Sequence, residues 1–158
     1  MKHLPKHLRP RWRYLAVAIE TPPDATFGRE AFQRGCWTAA RALLGDAASA
    51  DLDLSVVTFE RAGPVGQAVV RTRRGETDRA RAALACVDSV DGDPVGVRVT
   101  GTSGTVRACE EKLIQRPGEP ERRTVAFEGT DRDAVAWDGR VDVATGSGYA
   151  GAATPDCQ

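Results

Sequence analysis

Val97-Arg98-Val99-Thr100-Gly101-Thr102-Ser103-Gly104-Thr105-Val106-Arg107-Ala108-Cys109 reads as a strand, a tight turn and the opening of a helix. Val95, Val97 and Val99 alternate with Gly96, Arg98 and Thr100, the period-2 pattern of a strand with one buried face. Gly101 and Gly104 are expected to supply turn conformations closed to residues that carry a Cβ. Thr102 or Ser103 is expected to cap a helix running to about Ile114. The first turn of such a helix leaves backbone N–H groups unpaired, and these attract anions such as phosphate. Turn-and-cap chemistry alone uses the same residues, so the stretch fits either role.

Outward from it, the same logic places the other elements. Leu15, Val17 and Ile19 form one face of a strand from Arg13 to Glu20, and Tyr14, Ala16 and Ala18 form a second face of mostly small groups. Something can therefore pack close against that second face. Thr21-Pro22-Pro23-Asp24 ends the strand. Phe27 to Leu44 carries a helical apolar stripe, with Asp24 or Thr26 as expected cap and Gly45 as expected stop. Leu52–Glu60 and Gly66–Arg73 read as a hairpin around Gly63-Pro64. Glu76 to Val90 reads as a second helix with Thr77 as its cap, ended by Asp91-Gly92-Asp93-Pro94. Arg123–Glu128 reads as a short fifth strand.

The order β-α-β-β-α-β is the split-βαβ arrangement. The expected fold class is therefore α/β, an α+β sandwich of ferredoxin-like (RRM-like) order with an extra C-terminal helix. Residues 1–12 read as a basic arm, 13–128 as the ferredoxin-like domain, and 129–158 as an acidic, disordered tail in which Trp137 and Tyr149 could dock locally. One sheet face belongs to the two main helices; the third helix, a partner or RNA would cover the other. Arg71 and Arg73 share a face of their strand, and Arg98 lies opposite the valine face of its own. A suitable register would join them into a basic surface away from the main helices.

The 158 residues carry zero net charge, but unevenly. Lys2, Lys6, Arg9, Arg11 and Arg13 crowd the first thirteen positions with His3, His7 and no acid, while Asp131, Asp133, Asp138, Asp142 and Asp156 mark the tail. A basic arm suggests an anionic partner. Arginine outnumbers lysine heavily, and its planar donor fork suits phosphate and base edges; a GC-rich genome produces the same bias. No leader or membrane-length apolar run is visible, so the cytoplasm is the expected location.

Several chemistries find no support. The third strand, Gly66-Gln67-Ala68-Val69-Val70-Arg71-Thr72, lacks the aromatic run of single-strand RNA readers. No Gly-Lys-Ser/Thr follows Gly101 or Gly104, which removes a phosphate loop. Cys36, Cys86, Cys109 and Cys157 lie far apart, and three of them fall in expected helices, where a buried thiol is a small hydrophobe. The acids show no metal-ligand spacing, and no Ser-His-Asp set can be assembled.

Four blocks carry a resemblance. Leu4-Pro5-Lys6-His7-Leu8-Arg9 followed by Arg13-Tyr14, then Leu43-Leu44-Gly45-Asp46, then Gly66 to Arg71, and Ser103 to Cys109 match in order and spacing over about residues 1 to 115. In these the chain resembles the archaeal ribonuclease P protein component 2 family. The resemblance implies a subunit of a ribonucleoprotein that removes 5′ leaders from precursor tRNA. The RNA would do the chemistry with Mg²⁺, the protein itself binding no cofactor. The implied partners are the RNase P RNA, the TIM-barrel-like protein component 3 and the other RNase P proteins, with precursor tRNA as substrate. Glu110-Glu111 depart from the basic residues usual in the family at that point.

The expected RNA- or partner-binding residues are Lys2, Lys6, Arg9, Arg11, Arg13, Arg71, Arg73, Arg98, Ser103, Gly104, Thr105 and Arg107, with no catalytic or metal residue. On this reading the Ser103-Gly104-Thr105 turn is a structural elbow that aims Arg107. The alternatives are a regulatory module binding a small anion at that turn, or a pure protein–protein assembly subunit.

Overall fold

A computed structural model describes residues 3–113 and 118–153. After a short 3-10 turn at Lys6–Leu8, the chain forms β1 (Trp12–Glu20), α1 (Arg29–Leu52), β2 (Ser55–Ala62), β3 (Val65–Arg73) and α2 (Thr77–Ala85). A hairpin of β4 (Ser89–Val90) and β5 (Asp93–Pro94), then β6 (Gly96–Ser103) and α3 (Val106–Leu113), complete the first unit. The sheet order is β2-β3-β1-β6, every pairing antiparallel, so the ferredoxin-like arrangement stands.

Strand alternation divides the sheet into two faces. Leu15, Val17 and Ile19 of β1 point to the main core with Ala68 and Val70 of β3, and there meet Phe32, Cys36 and Ala40 of α1 and Ala80, Ala83 and Leu84 of α2. The other face is covered by α3, where Ala16, Val69 and Cys109 are all fully buried. Ala16 is small enough to let the helix approach, and the Cys109 thiol lies 3.8 Å from the Tyr14 carbonyl oxygen, within reach to donate to it.

Burial pushes the Cys36 thiol up to about 12; burial and the Glu110 charge push Cys109 up to about 11. Both therefore stay protonated and inert. Cys86 differs from expectation: α2 ends at Ala85, leaving Cys86 exposed at the helix end, and Cys157 lies outside the described residues. With Cys157 replaced by Ser, one thiol should react quickly with a water-soluble disulfide reagent and two only on unfolding. Three fast thiols would contradict this packing.

Local boundaries differ in ways the backbone explains. Gly45 leaves the helical conformation at φ 80°, as its role as a stop requires, yet α1 resumes through the alanine-rich Ala47–Ala50 to Leu52. Asp91 and Gly92, with φ 50° and 87°, form the two-residue turn of the β4–β5 hairpin instead of closing a long second helix. Neither α1 nor α2 has a side-chain cap, so Asp24, Thr26 and Thr77 do not fill that role. The strand continues through Gly101, which pairs with Ala16 after a bulge, to Ser103. Thr105 caps α3 instead of Thr102 or Ser103, its Oγ1 accepting from the Ala108 N–H at 3.2 Å.

The largest correction concerns the C-terminal segment. Residues 129–153 of the expected disordered tail are ordered: β7 (Glu121–Phe127), β8 (Thr130–Trp137), β9 (Arg140–Thr145) and β10 (Gly148–Ala153) form a second antiparallel sheet in the order β10-β9-β8-β7. The expected fifth strand belongs to it and not to the ferredoxin-like unit. Val125, Ala134, Val141 and Val143 pack into a separate small core flanked by Phe127 and Ala136. The inward alanines Ala134 and Ala136 of β8 mute the apolar alternation. Asp138-Gly139, with φ 42° and 75°, is the turn signal that marks the β8–β9 hairpin. Positions 154–158, including Asp156, lie outside the described residues, as does the expected helix end at Ile114.

Candidate functional site

Antiparallel pairing brings the start of β1, the end of β3 and the end of β6 to one end of the sheet. Register sets Trp12 opposite Arg73, Tyr14 opposite Arg71, and Tyr14 opposite Ser103 on the other side. The arm enters at this end: the Arg74 N–H donates to the Arg11 carbonyl at 2.9 Å, continuing the ladder into the arm's root. Arg11 and Arg13 thus lie at the same sheet end as Arg71, Arg73, Ser103, Gly104 and Thr105, with Arg107 following on α3, while within the arm Arg9 donates to the Lys6 and Leu4 carbonyls. Lys2 lies outside the described residues.

Arg98 does not join them. It pairs with Ala18, six residues along β1 from Trp12 and so about 20 Å away at roughly 3.3 Å per residue. It faces the same side as Arg71 and Arg73, as its alternation required, but at the far end.

At the basic end the Arg71 and Arg73 guanidiniums stack on the Trp12 ring, with Cζ 3.8 and 4.2 Å from its centroid. Arg73 also pairs with Asp53 at 3.0 Å. The Arg71 Nε is buried and makes no hydrogen bond within the protein. Cation–π attraction of this kind, worth about 0.5–2 kcal/mol, sets the planes of both donor forks. Trp12 and Arg74 were missing from the expected residues, because only the pairing register shows Trp12 opposite Arg73.

The Ser103-Gly104-Thr105 elbow is braced from β1. A Cβ at Gly104 would stand 3.0 Å from the Arg13 Nη1, so the glycine makes room for that side chain, and it does so without a left-handed backbone. The Ser103 Oγ lies 3.5 Å from the Thr105 N–H that donates to it. Arg107 is 85% exposed and donates from Nε to the Glu111 Oε1 at 2.7 Å. Half of the acidic pair that departs from the family pattern thus steers Arg107. In the arm, the Leu8 N–H donates to the Pro5 carbonyl at 2.9 Å, and Leu8 remains 58% exposed. The arm therefore offers apolar surface as well as charge.

This arrangement suits an extended polyanion. Cations spread over the arm, two strand ends and a helix start match successive phosphates better than one compact anion. Among the described residues, no group of three or more His, Cys, Asp or Glu is placed to hold a metal ion, and no helix is long and apolar enough to cross a membrane.

A family model described as the Rpp14/Pop5 family matches residues 13–114. The chain is similar to the ribonuclease P protein component 2 of Halorubrum lacusprofundi, 59% identical over 159 residues and covering 100% of both chains. It is similar to the protein of that name from Haloarcula marismortui, 62% identical over 148 residues, 93% of this chain and 92% of that one. The Methanosarcina mazei protein of the same name is 31% identical over 118 residues, which make up 97% of it but 75% of this chain. The family match ends within one residue of α3, and the second sheet lies beyond it.

Proposed function

The chain belongs to the Rpp14/Pop5 family and is a protein subunit of ribonuclease P, and from that premise we propose that it supports the catalytic RNA in removing 5′ leaders from precursor tRNA without supplying catalytic groups itself. The observation that carries this reading is the basic sheet end, where arginines from β3 are held on Trp12 beside the arm and the elbow. Its only histidines, His3 and His7, belong to the arm and not to a cleft. On this reading the RNA and its Mg²⁺ ions supply the acid–base chemistry, and protein component 3 is the protein partner that resemblance to the family implies.

A salt titration tests the arm. Deleting residues 1–11 removes Lys2, Lys6, Arg9 and Arg11. At roughly 0.7–0.9 counterions released per phosphate contact, the slope of log K for the RNA against log salt should lose about 3 units. An unchanged slope would remove the arm from the RNA interface and favour a subunit that touches only other proteins, with exposed Leu4 and Leu8 as its contacts.

A further inference from the structure

The far end of the sheet is built differently from the basic end. There the second sheet meets the ends of β1 and β5 and the start of β6, and the two units enclose an open cleft of about 540 Å³. Its working groups are Glu20, Trp137, Arg140, Asp142 and Tyr149. The Arg140 Nη1 pairs with the Glu20 Oε2 at 2.6 Å, and its guanidinium lies 5.6 Å from the Trp137 ring centroid. The Trp137 indole N–H donates to the Asp142 Oδ2 at 2.9 Å. Gly151 leaves space beside the other oxygen: a Cβ there would stand 3.8 Å from Oδ1.

We propose that this cleft receives an arginine side chain from a protein partner in the assembled complex. Two carboxylates face one guanidinium, so the cleft holds a surplus negative charge, and its indole donor is already used. Phosphate is repelled by such a site, whereas a cation is drawn by both the carboxylates and the π faces of Trp137 and Tyr149. Arginine suits it better than lysine, because a planar fork can pair with Asp142 while stacking on a ring. Arg140 already shows the recipe, held between Glu20 and Trp137. Burial, and secondarily the Glu20 charge, raise the Asp142 carboxyl above the ordinary range against the indole bond and Arg140, so an arriving cation relieves an existing cost.

The cleft is half family domain and half second sheet. The family match stops at 114, and the Methanosarcina mazei relative is accounted for almost entirely by 75% of this chain. The cleft accordingly draws nearly half its lining from residues beyond the family match. The proposal takes from the subunit reading only the existence of a protein partner, and its test uses no RNA.

The probe is Nα-acetyl-arginine amide, titrated into the full-length ¹⁵N-labelled protein. The Trp137 indole signal and the Gly96 and Gly151 amides are followed, with acetyl-citrulline amide as the uncharged isostere. Saturable shifts at millimolar concentrations are expected with arginine and not with citrulline, weakened about tenfold by Asp142→Asn and by Glu20→Gln. Equal shifts with citrulline, or none up to about 50 mM, would overturn the proposal, since that bound corresponds to less than about 2 kcal/mol of binding. So would a response to guanosine monophosphate in its place, which would make the cleft a nucleobase site.

Discussion

Replacing Phe32 by Ala is expected to cost the ferredoxin-like unit about 3–5 kcal/mol, the range for truncating a fully buried aromatic core residue. Phe32 is 0% exposed and sits where α1 meets the sheet, its ring 5.5 Å from that of Phe59. The void left would be lined by α1 and strand backbones that pairing holds in place, so little relaxation can offset it. Thermal unfolding should shift down by roughly 10–20 °C. Leu43 lies on the same helix but is 46% exposed, and Leu43→Ala should change stability by no more than about 0.5 kcal/mol. Comparable losses from the two variants, read by circular dichroism, would contradict the assignment of the buried stripe.

Reversing charge at Arg71 and Arg73 should produce the largest functional loss. Each arginine contact to a nucleic acid is worth about 1–3 kcal/mol, so the double variant R71E/R73E should weaken RNA binding by at least about 30-fold at moderate salt. Opening the Arg73–Asp53 pair, both partners of which are at least one-third exposed, accounts for no more than about 1 kcal/mol of stability. The double variant also loses both stacks on Trp12, so its folding is checked by circular dichroism before binding is compared. R71K/R73K keeps both charges but cannot reproduce the planar stack on Trp12, and it should fall between the two. Equal binding by all three proteins would show that this end does not meet the RNA.

The alternation of Leu15, Val17 and Ile19, the stripe on α1 and the Val95–Val99 strand were enough to read the β-α-β-β-α-β order. The small second face of β1, with Ala16 at its centre, rightly announced a close-packed cover, which is α3. The limits were physical. Val87 and Val90 continue the helical spacing of α2, yet they belong to a turn and a hairpin that Asp91-Gly92 imposes. The second sheet was hidden because β8 turns Ala134 and Ala136 inward, and a strand with so small an apolar face is stable only once paired. Trp12 escaped notice for a related reason: its partner Arg73 is 61 positions away, and strand register is not a property of either segment alone. Arg107 is exposed, and its steering by Glu111 accounts for an acid that departs from the family pattern beside the elbow.

The most direct test is single-turnover cleavage of precursor tRNA by the RNase P RNA and the other protein subunits, at limiting Mg²⁺. The reaction is run with this chain absent, present as wild type, or present as R71E/R73E verified to be folded. The predicted result is that wild type raises the cleavage rate above the reaction without the chain and the charge-reversed variant does not. Full restoration by R71E/R73E, or no loss when the chain is left out, would contradict a role for the basic sheet end in supporting the RNA.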